Sequence, residues 1–253
     1  MSSSARLSAV PSTIGFDMKG YVSKFESLGT IDGPGVRAVV FTSGCPLRCI
    51  YCHNPETQEA GGGTLTESCE LVSQIRRLYP YIKDGGVTFS GGEPLMSAKF
   101  ISEVARELKK DGIHIALDTS GAIISEDTRT LLDLCDLVLL DVKFTSEEEY
   151  KLYTGGSLSV TLDFLKLCDE KNIPVWIRHV VVPGINDKEK SVISLSELVR
   201  PFRCVKKIEL LPFKKLCVAK YEALGKPFGL IDTPQMNTDR LNELSLLLNT
   251  NRK

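Results

Sequence analysis

The chain has 253 residues, a formal net charge of −1, and 42% hydrophobic and 25% charged residues. That balance supplies a large apolar core and no global field that would draw nucleic acid or an anionic membrane. No apolar run reaches the roughly 18 residues of a membrane-spanning helix.

Residues 1–16 are rich in serine and lack acidic side chains, a weak likeness to an organelle transit peptide. With a single arginine, the stretch is expected instead to be a disordered tail, taken as residues 1–18 ahead of one domain at 19–253. Gly20 to Glu26 alternates in character and predicts a short strand, followed by a turn region from Gly29 to Gly35. Arg37 to Thr42 predicts a buried strand that delivers a cysteine-bearing loop. Beyond Gly61-Gly62-Gly63, Leu71, Val72, Ile75 and Leu78 fall at helical spacing, with Thr66 expected as the N-cap and Pro80 just beyond the end. Val87 to Phe89 reads as strand and runs into Ser90-Gly91-Gly92-Glu93-Pro94. Phe100, Ile101, Val104, Ala105 and Leu108 mark a helix that Gly112 closes.

The alternation continues with a strand at Ile113 to Leu117, a helix near Glu126 to Leu134, and a strand at Leu137 to Leu140. Val160, Phe164, Leu167 and Cys168 mark a further helix. A strand at Pro174 to Val182, a helix at Asp187 to Val199, a strand at Val205 to Leu211 and a helix near Asp239 to Leu248 complete the series. Six strands separated by helices require a parallel sheet, because helical crossovers return the chain in the same direction. No linker or fixed-period repeat divides the series, so one α/β domain is expected. Periodicity alone leaves an open doubly wound sheet and a partial barrel equally admissible. In both, the chemistry belongs at the C-terminal ends of the strands.

Three of the eight cysteines, Cys45, Cys49 and Cys52, lie within eight residues. A disulfide framework suits a small secreted chain, and no secretory signal is evident here, so the thiols read as metal ligands in a reducing, cytoplasmic setting. A closed zinc site needs a fourth ligand, and no second C-x2-C pair follows. His53 is too close to Cys52 to turn back onto the same ion. Iron–sulfur clusters commonly take four thiolates, so three would leave one iron of a four-iron cluster open to a small ligand.

The C-x3-C-x2-C spacing resembles the cluster loop of radical S-adenosylmethionine (SAM) enzymes. Its flanks, Asp32-Gly33-Pro34-Gly35-Val36-Arg37, Phe41, Gly44 and Cys52-His53-Asn54, resemble the signature of the activases of glycyl radical enzymes. This resemblance favours a partial (β/α)6 barrel of parallel strands, a [4Fe-4S] cluster on Cys45, Cys49 and Cys52, and SAM chelating the open iron. It implies SAM contacts from Tyr51, Cys52, His53, Gly92, Glu93, Asp141, Val142, Lys143 and Arg178. It also implies a monovalent cation, Na+ or K+, held by Asp118 and Asp141, whose carboxylates would otherwise repel one another. Lys214 stands where the family's best-known pattern has histidine; a lysine donates a hydrogen bond but neither stacks nor accepts. His179 and His114 read as structural.

Activases with auxiliary clusters carry a cysteine-rich insertion after the first motif. Here 33 residues separate Cys52 from Gly86 and contain only Cys69. The implied protein substrate is therefore pyruvate formate-lyase, with flavodoxin or ferredoxin as electron donor. Activation of another glycyl radical enzyme, radical chemistry on a small molecule, and a noncatalytic iron–sulfur carrier are the competing readings.

Overall fold

In the computed structural model, which describes residues 18–250, strands alternate with helices from Arg37 onward, and the four central parallel strands, at residues 37–42, 86–91, 115–119 and 137–141, are buried on both faces over nearly their whole length. The strands are β1 (Lys19–Gly29), β2 (Arg37–Thr42), β3 (Thr64–Glu67), β4 (Gly86–Gly91), β5 (Ile115–Thr119), β6 (Leu137–Asp141), β7 (Val175–Val181) and β8 (Val205–Pro212). The helices are α1 (Ser68–Arg77), α2 (Tyr79–Ile82), α3 (Ala98–Lys110), α4 (Glu126–Leu132), α5 (Glu147–Thr154), α6 (Leu158–Glu170), α7 (Glu189–Val199), α8 (Val218–Ala223) and α9 (Thr238–Thr250).

The eight strands form one sheet in the order β3-β1-β2-β4-β5-β6-β7-β8. β2 and β4 through β8 are mutually parallel, which are the six core strands expected. β1 and β3 add an antiparallel margin beside β2. The order is linear and its ends do not pair, so the sheet is open, as a partial barrel is. The expected disordered tail at 1–18 falls outside the described residues except for Met18, whose carbonyl accepts from the Ser68 amide.

Side-chain parity divides the sheet into two faces. Ile115 and Leu117, Val138 and Leu140, and Val175 and Ile177 join the main core beneath the helices. Ala116, Leu137 and Leu139, with Trp176 packed on them, form a small cluster on the other face. Asp118, Asp141 and Arg178 share the parity of this second set; Asp118 and Asp141 stand at the C-terminal ends of β5 and β6, and Arg178, midway along β7, lies beside Asp141.

Local chemistry accounts for the helix ends. Ser125 and Ser146 cap α4 and α5, their hydroxyls accepting from the Thr128 and Glu149 amides. Acidic residues fill the first turn of each, where they complement the helix dipole. Gly155 ends α5 in the left-handed region, at φ 72°.

Several expectations are corrected. Thr66 lies in β3 and is not a cap; Glu67 precedes α1 and makes no side-chain capping bond. Pro80 does lie just beyond the end of α1, as expected, and there it begins a further short helix, α2, where the missing N–H costs nothing. Two helices, α5 and α6, occupy the link between β6 and β7, where one was marked. β3 and α8 were not anticipated.

Arg37 occupies the N-terminal end of the inner face and is fully buried. Nε donates to Thr88 Oγ1 at 2.7 Å, Nη1 to the Pro34 and Gly85 carbonyls, and Nη2 to the Val87 carbonyl at 2.7 Å and the His114 carbonyl at 3.3 Å. Thr88 Oγ1 in turn donates to the Asp32 carbonyl at 2.7 Å. Burial depresses the Arg37 pKa to about 10, against the pull of Asp136 and Asp32. The guanidinium therefore ties the turn between β1 and β2 to the starts of β4 and β5. Arg37→Met orphans these carbonyls and is expected to cost about 3 kcal/mol in urea unfolding. Arg37→Lys recovers only part of it, having fewer donors and no planar fork.

Candidate active site

The loop that follows β2 is fastened along its length before any ligand is considered. The Gly44 and Cys45 amides donate to the Thr57 and Gln58 carbonyls at 2.8 and 3.1 Å. In the middle of the loop, the Arg48 and Ile50 amides donate to the Thr154 and Tyr153 carbonyls, at 2.7 and 3.0 Å, at the C-terminal end of α5. Carbonyls that a helix end leaves unpaired are thus used to hold the cysteine loop. A side chain at Gly156 would meet Leu47 at 2.5 Å, so the loop seats against bare backbone there.

The glycine pair has an equally local cause. The Gly92 amide donates to the Thr42 carbonyl at 2.9 Å, and the Glu93 amide to the Gly44 carbonyl at 2.8 Å. A Cβ on Gly91 would lie 2.2 Å from the Thr42 carbonyl oxygen, and one on Gly92 would lie 2.3 Å from that of Gly44. The pair lets the turn after β4 lie directly under the cysteine loop, and Gly91 and Gly92 both line the adjoining cavity.

This cavity, about 570 Å³, opens at the C-terminal ends of the strands. Cys45, Cys49, Tyr51, Cys52, His53, Gly92, Asp118, Asp141, Lys143, Arg178 and Lys214 all reach it. Nearly all the residues singled out from sequence are therefore brought together. Glu93 and Val142 are the exceptions. Glu93 is 1% exposed, and its carboxylate accepts from the Leu95 amide, the Thr119 hydroxyl and both the amide and hydroxyl of Ser120. It clamps the turn after β4 to the end of β5, and its acceptors are spent on protein donors, Thr119 and Ser120 among them being cavity-lining residues. Val142 is wholly buried; its amide donates to the Arg178 carbonyl and its carbonyl bonds the His179 ring.

His179 is buried as expected, between the Val142 carbonyl at 2.7 Å and Asn186 at 3.1 Å. His114 is structural too, its Nδ1 lying 3.1 Å from Arg37 Nη2. Asp32 is a lining residue that periodicity could not assign, since it sits in the irregular turn before β2. Its place in the Asp32-to-Arg37 signature was the only sequence signal. Burial, and then Asp118, raise its pKa.

The polar mouth consists of two ion pairs. Arg178 Nη1 bridges to Asp118 Oδ1 at 3.2 Å, with both side chains about 15% exposed, and Lys143 Nζ bridges to Asp141 Oδ2. Asp118 also accepts from Ser90 Oγ at 2.8 Å. The register sets Asp141 directly beside Arg178. Burial raises the Asp118 pKa, reinforced by Asp141 and opposed by Arg178. Burial would raise Asp141 as well, but Lys143 and Arg178 overcome it and hold this carboxylate below its ordinary range. The mutual repulsion that called for a monovalent cation is thus already offset within the chain. Arg178 Nε and the Tyr51 hydroxyl are buried and without a hydrogen-bond partner among the described residues, so both retain capacity for a ligand.

A single metal ion does not fit this donor set. Among the described residues, no three Cys, His, Asp or Glu side chains converge as ligands of one ion. A four-iron cluster does fit, because it takes each thiolate on a different iron. The free Cys45, Cys49 and Cys52 line one cavity beside cationic Lys143. Burial raises the Cys45 thiol and pushes Cys49 up to about 12.

A loop of three thiols after the first parallel strand of an open α/β sheet, facing paired charges on neighbouring strand ends, defines a protein of the radical SAM type. The family model for the radical SAM superfamily matches residues 39–195. The chain is 40% identical over 231 residues to the pyruvate formate-lyase-activating enzyme of Clostridium pasteurianum, covering 90% of this chain and 97% of that protein. It is 41% identical over 215 residues to the pyruvate formate-lyase 1-activating enzyme of Escherichia coli K12, covering 83% and 87%. Among solved structures, Streptococcus suis SuiB bound to its precursor peptide SuiA superposes with a TM-score of 0.63 at 18% identity, over 85% of this chain and 46% of that one. The chain belongs to the radical SAM superfamily and, within it, to the family of the pyruvate formate-lyase-activating enzymes. The cofactors of the superfamily are a [4Fe-4S] cluster and SAM.

Cys45→Ala, Cys49→Ala and Cys52→Ala are each expected to abolish iron uptake, measured as iron per chain and visible absorbance. Alanine at Cys69, Cys135, Cys168, Cys204 or Cys217 leaves uptake intact. Because ligation removes protons from Cys45 and Cys49, whose pKa values burial raises, uptake should strengthen as pH rises.

Proposed function

We propose that the chain activates pyruvate formate-lyase (formate acetyltransferase) by placing a radical on one of its glycines. The observation that carries this reading is one cavity bordered both by three free thiols on a fixed loop and by two ion pairs at strand ends. A [4Fe-4S] cluster and SAM bound here would supply one-electron reductive cleavage of the sulfonium, with the electron from a low-potential donor, and so a carbon-centred radical able to take a hydrogen atom from a glycine Cα.

The chain's own residues bind and orient. Cys45, Cys49 and Cys52 would hold the cluster as thiolates, with SAM bound beside it in the same cavity. Arg178 and Lys143 are the cations for the SAM carboxylate, and Asp118 and Asp141 the acceptors for the N–H groups of its amine. Tyr51 offers an unspent hydroxyl. The Gly91-Gly92 backbone borders the cavity without a side chain in the way. His53 and Lys214 close the far wall, the ring Nε2 lying 2.8 Å from the Lys214 carbonyl. Na+ or K+ beside Asp118 and Asp141 is a further element of this reading, although both carboxylates have cationic partners of their own.

A protein substrate is supported by the mouth, where Ile31 and Leu216 line the cavity while 82% and 75% exposed. Apolar side chains left in water at the rim suit a peptide segment more than a small polar metabolite. Glycine suits the reaction because its Cα radical is stabilised by both flanking amides and no side chain obstructs its entry. The low-potential electron donor is flavodoxin or ferredoxin, and the setting is cytoplasmic; no helix among the described residues is long and apolar enough to cross a membrane.

The test is anaerobic reconstitution with iron, sulfide, SAM and a reductant, followed by electron paramagnetic resonance on added pyruvate formate-lyase. About four irons per chain are expected, as one four-iron cluster requires, together with a glycyl radical that disappears when the lyase glycine is replaced by alanine. SAM cleavage with no radical on the lyase, accompanied by conversion of a small metabolite, would overturn the reading.

A further inference from the structure

The helix that periodicity passed over, α8, is where the C-terminal part of the chain meets the cysteine loop. Lys220 Nζ donates to the His53 carbonyl at 3.0 Å, to Asn54 Oδ1 at 2.8 Å and to Glu56 Oε1 at 2.5 Å. These acceptors precede it by 164 to 167 residues and all lie on the limb of the loop that leaves Cys52. Two belong to the residues immediately after that thiol.

The other parts of the loop have backbone anchors. Gly44 and Cys45 are tied to Thr57 and Gln58, and Arg48 and Ile50 to the end of α5. The outgoing limb has ties of its own, the Cys52 amide donating to the Cys49 carbonyl at 3.1 Å and the Thr57 amide to the Asn54 carbonyl at 3.0 Å, with the His53 ring Nε2 lying 2.8 Å from the Lys214 carbonyl; to these α8 adds a charged contact. Among the described residues the donor to the His53 carbonyl is the Lys220 ammonium, and the same ammonium fixes the Asn54 side chain. Lys220 is itself set on a rigid base. Phe213, Cys217, Tyr221 and Phe228 are buried around α8, with the Tyr221 and Phe228 rings 4.9 Å apart and those of Phe213 and Phe228 6.3 Å apart. The side chain is 38% exposed, and its ammonium makes three contacts from a fixed stem.

We propose that Lys220 is a positioning residue for the cluster, holding Cys52 at its iron through the backbone of His53 and the side chain of Asn54. The proposal rests on the reading that Cys45, Cys49 and Cys52 carry the [4Fe-4S] cluster. A misplaced third thiolate leaves an iron exposed to chelators, so the direct readout is how fast bound iron is lost.

The full chain is reconstituted anaerobically as wild type, Lys220→Met, Lys220→Arg, Glu56→Gln and Lys226→Ala, and iron release to a chelator is followed by the decay of visible absorbance. Circular dichroism on the apoproteins checks that each is folded. Lys226 pairs with Glu59 at 3.0 Å on the same segment, but further from Cys52, and so serves as the control for simple fastening of that segment. Lys220→Met is expected to lose iron about fivefold faster, the scale of a partly exposed charged contact. Lys220→Arg should restore most of the retention, Glu56→Gln should fall between, and Lys226→Ala should match wild type. A Lys220→Met protein that keeps iron as long as wild type overturns the proposal. So does a Lys226→Ala protein that loses it as fast as Lys220→Met, because the effect would then belong to the whole segment. If wild type takes up no cluster, the functional reading fails and this inference fails with it.

Discussion

Charge buried on one face of the sheet is the constraint on which the site depends. Asp118, Asp141 and Arg178 follow the parity of a small apolar cluster, the two carboxylates at strand ends and Arg178 beside Asp141, with Lys143 just beyond β6. Isolated, each would cost several kcal/mol to hold away from water. Paired two by two, they form a wall that is nearly neutral overall but locally polar, suited to a ligand that carries both an amine and a carboxylate. The parallel register fixes the spacing, since Asp141 and Arg178 are direct neighbours across β6 and β7.

Much of this was legible in the sequence because its signals are local. Alternating strand and helix periodicity gave the six parallel strands, and C-x3-C-x2-C with its flanks identified the loop. Acidic residues closing two apolar strands marked Asp118 and Asp141, a charge embedded in a third marked Arg178, and all three line the same cavity. What escaped was non-local or short. β3 is four residues, Thr-Leu-Thr-Glu, too few and too polar for a periodic signal, and exists because it pairs with the start of β1. α8 has six residues and is buried through Tyr221 against aromatic rings reached only in three dimensions.

Glu93 shows a different limit. The motif correctly marked an important turn, but a motif does not say which way a side chain points. The carboxylate faces Thr119 and Ser120, and burial raises its pKa despite the hydrogen bonds it accepts from them. Its work is to join two strand ends, so that the glycines before it can touch the cysteine loop. Lys143 similarly reads as one polar residue after a strand, whereas its raised pKa comes from Asp141, Cys49 and Tyr51 outweighing the effect of burial. Such balances depend on distances that no linear pattern contains.

The fastening of the cysteine loop to α5 bears on how the protein matures. Amides at Arg48 and Ile50 are engaged by helix carbonyls without any contribution from iron. In a zinc finger, metal and fold arrive together, and the ion supplies the energy that orders the chain. Here part of the entropy of ordering the loop is met by its bonds to the scaffold, so that ordering does not fall on the cluster ligands alone.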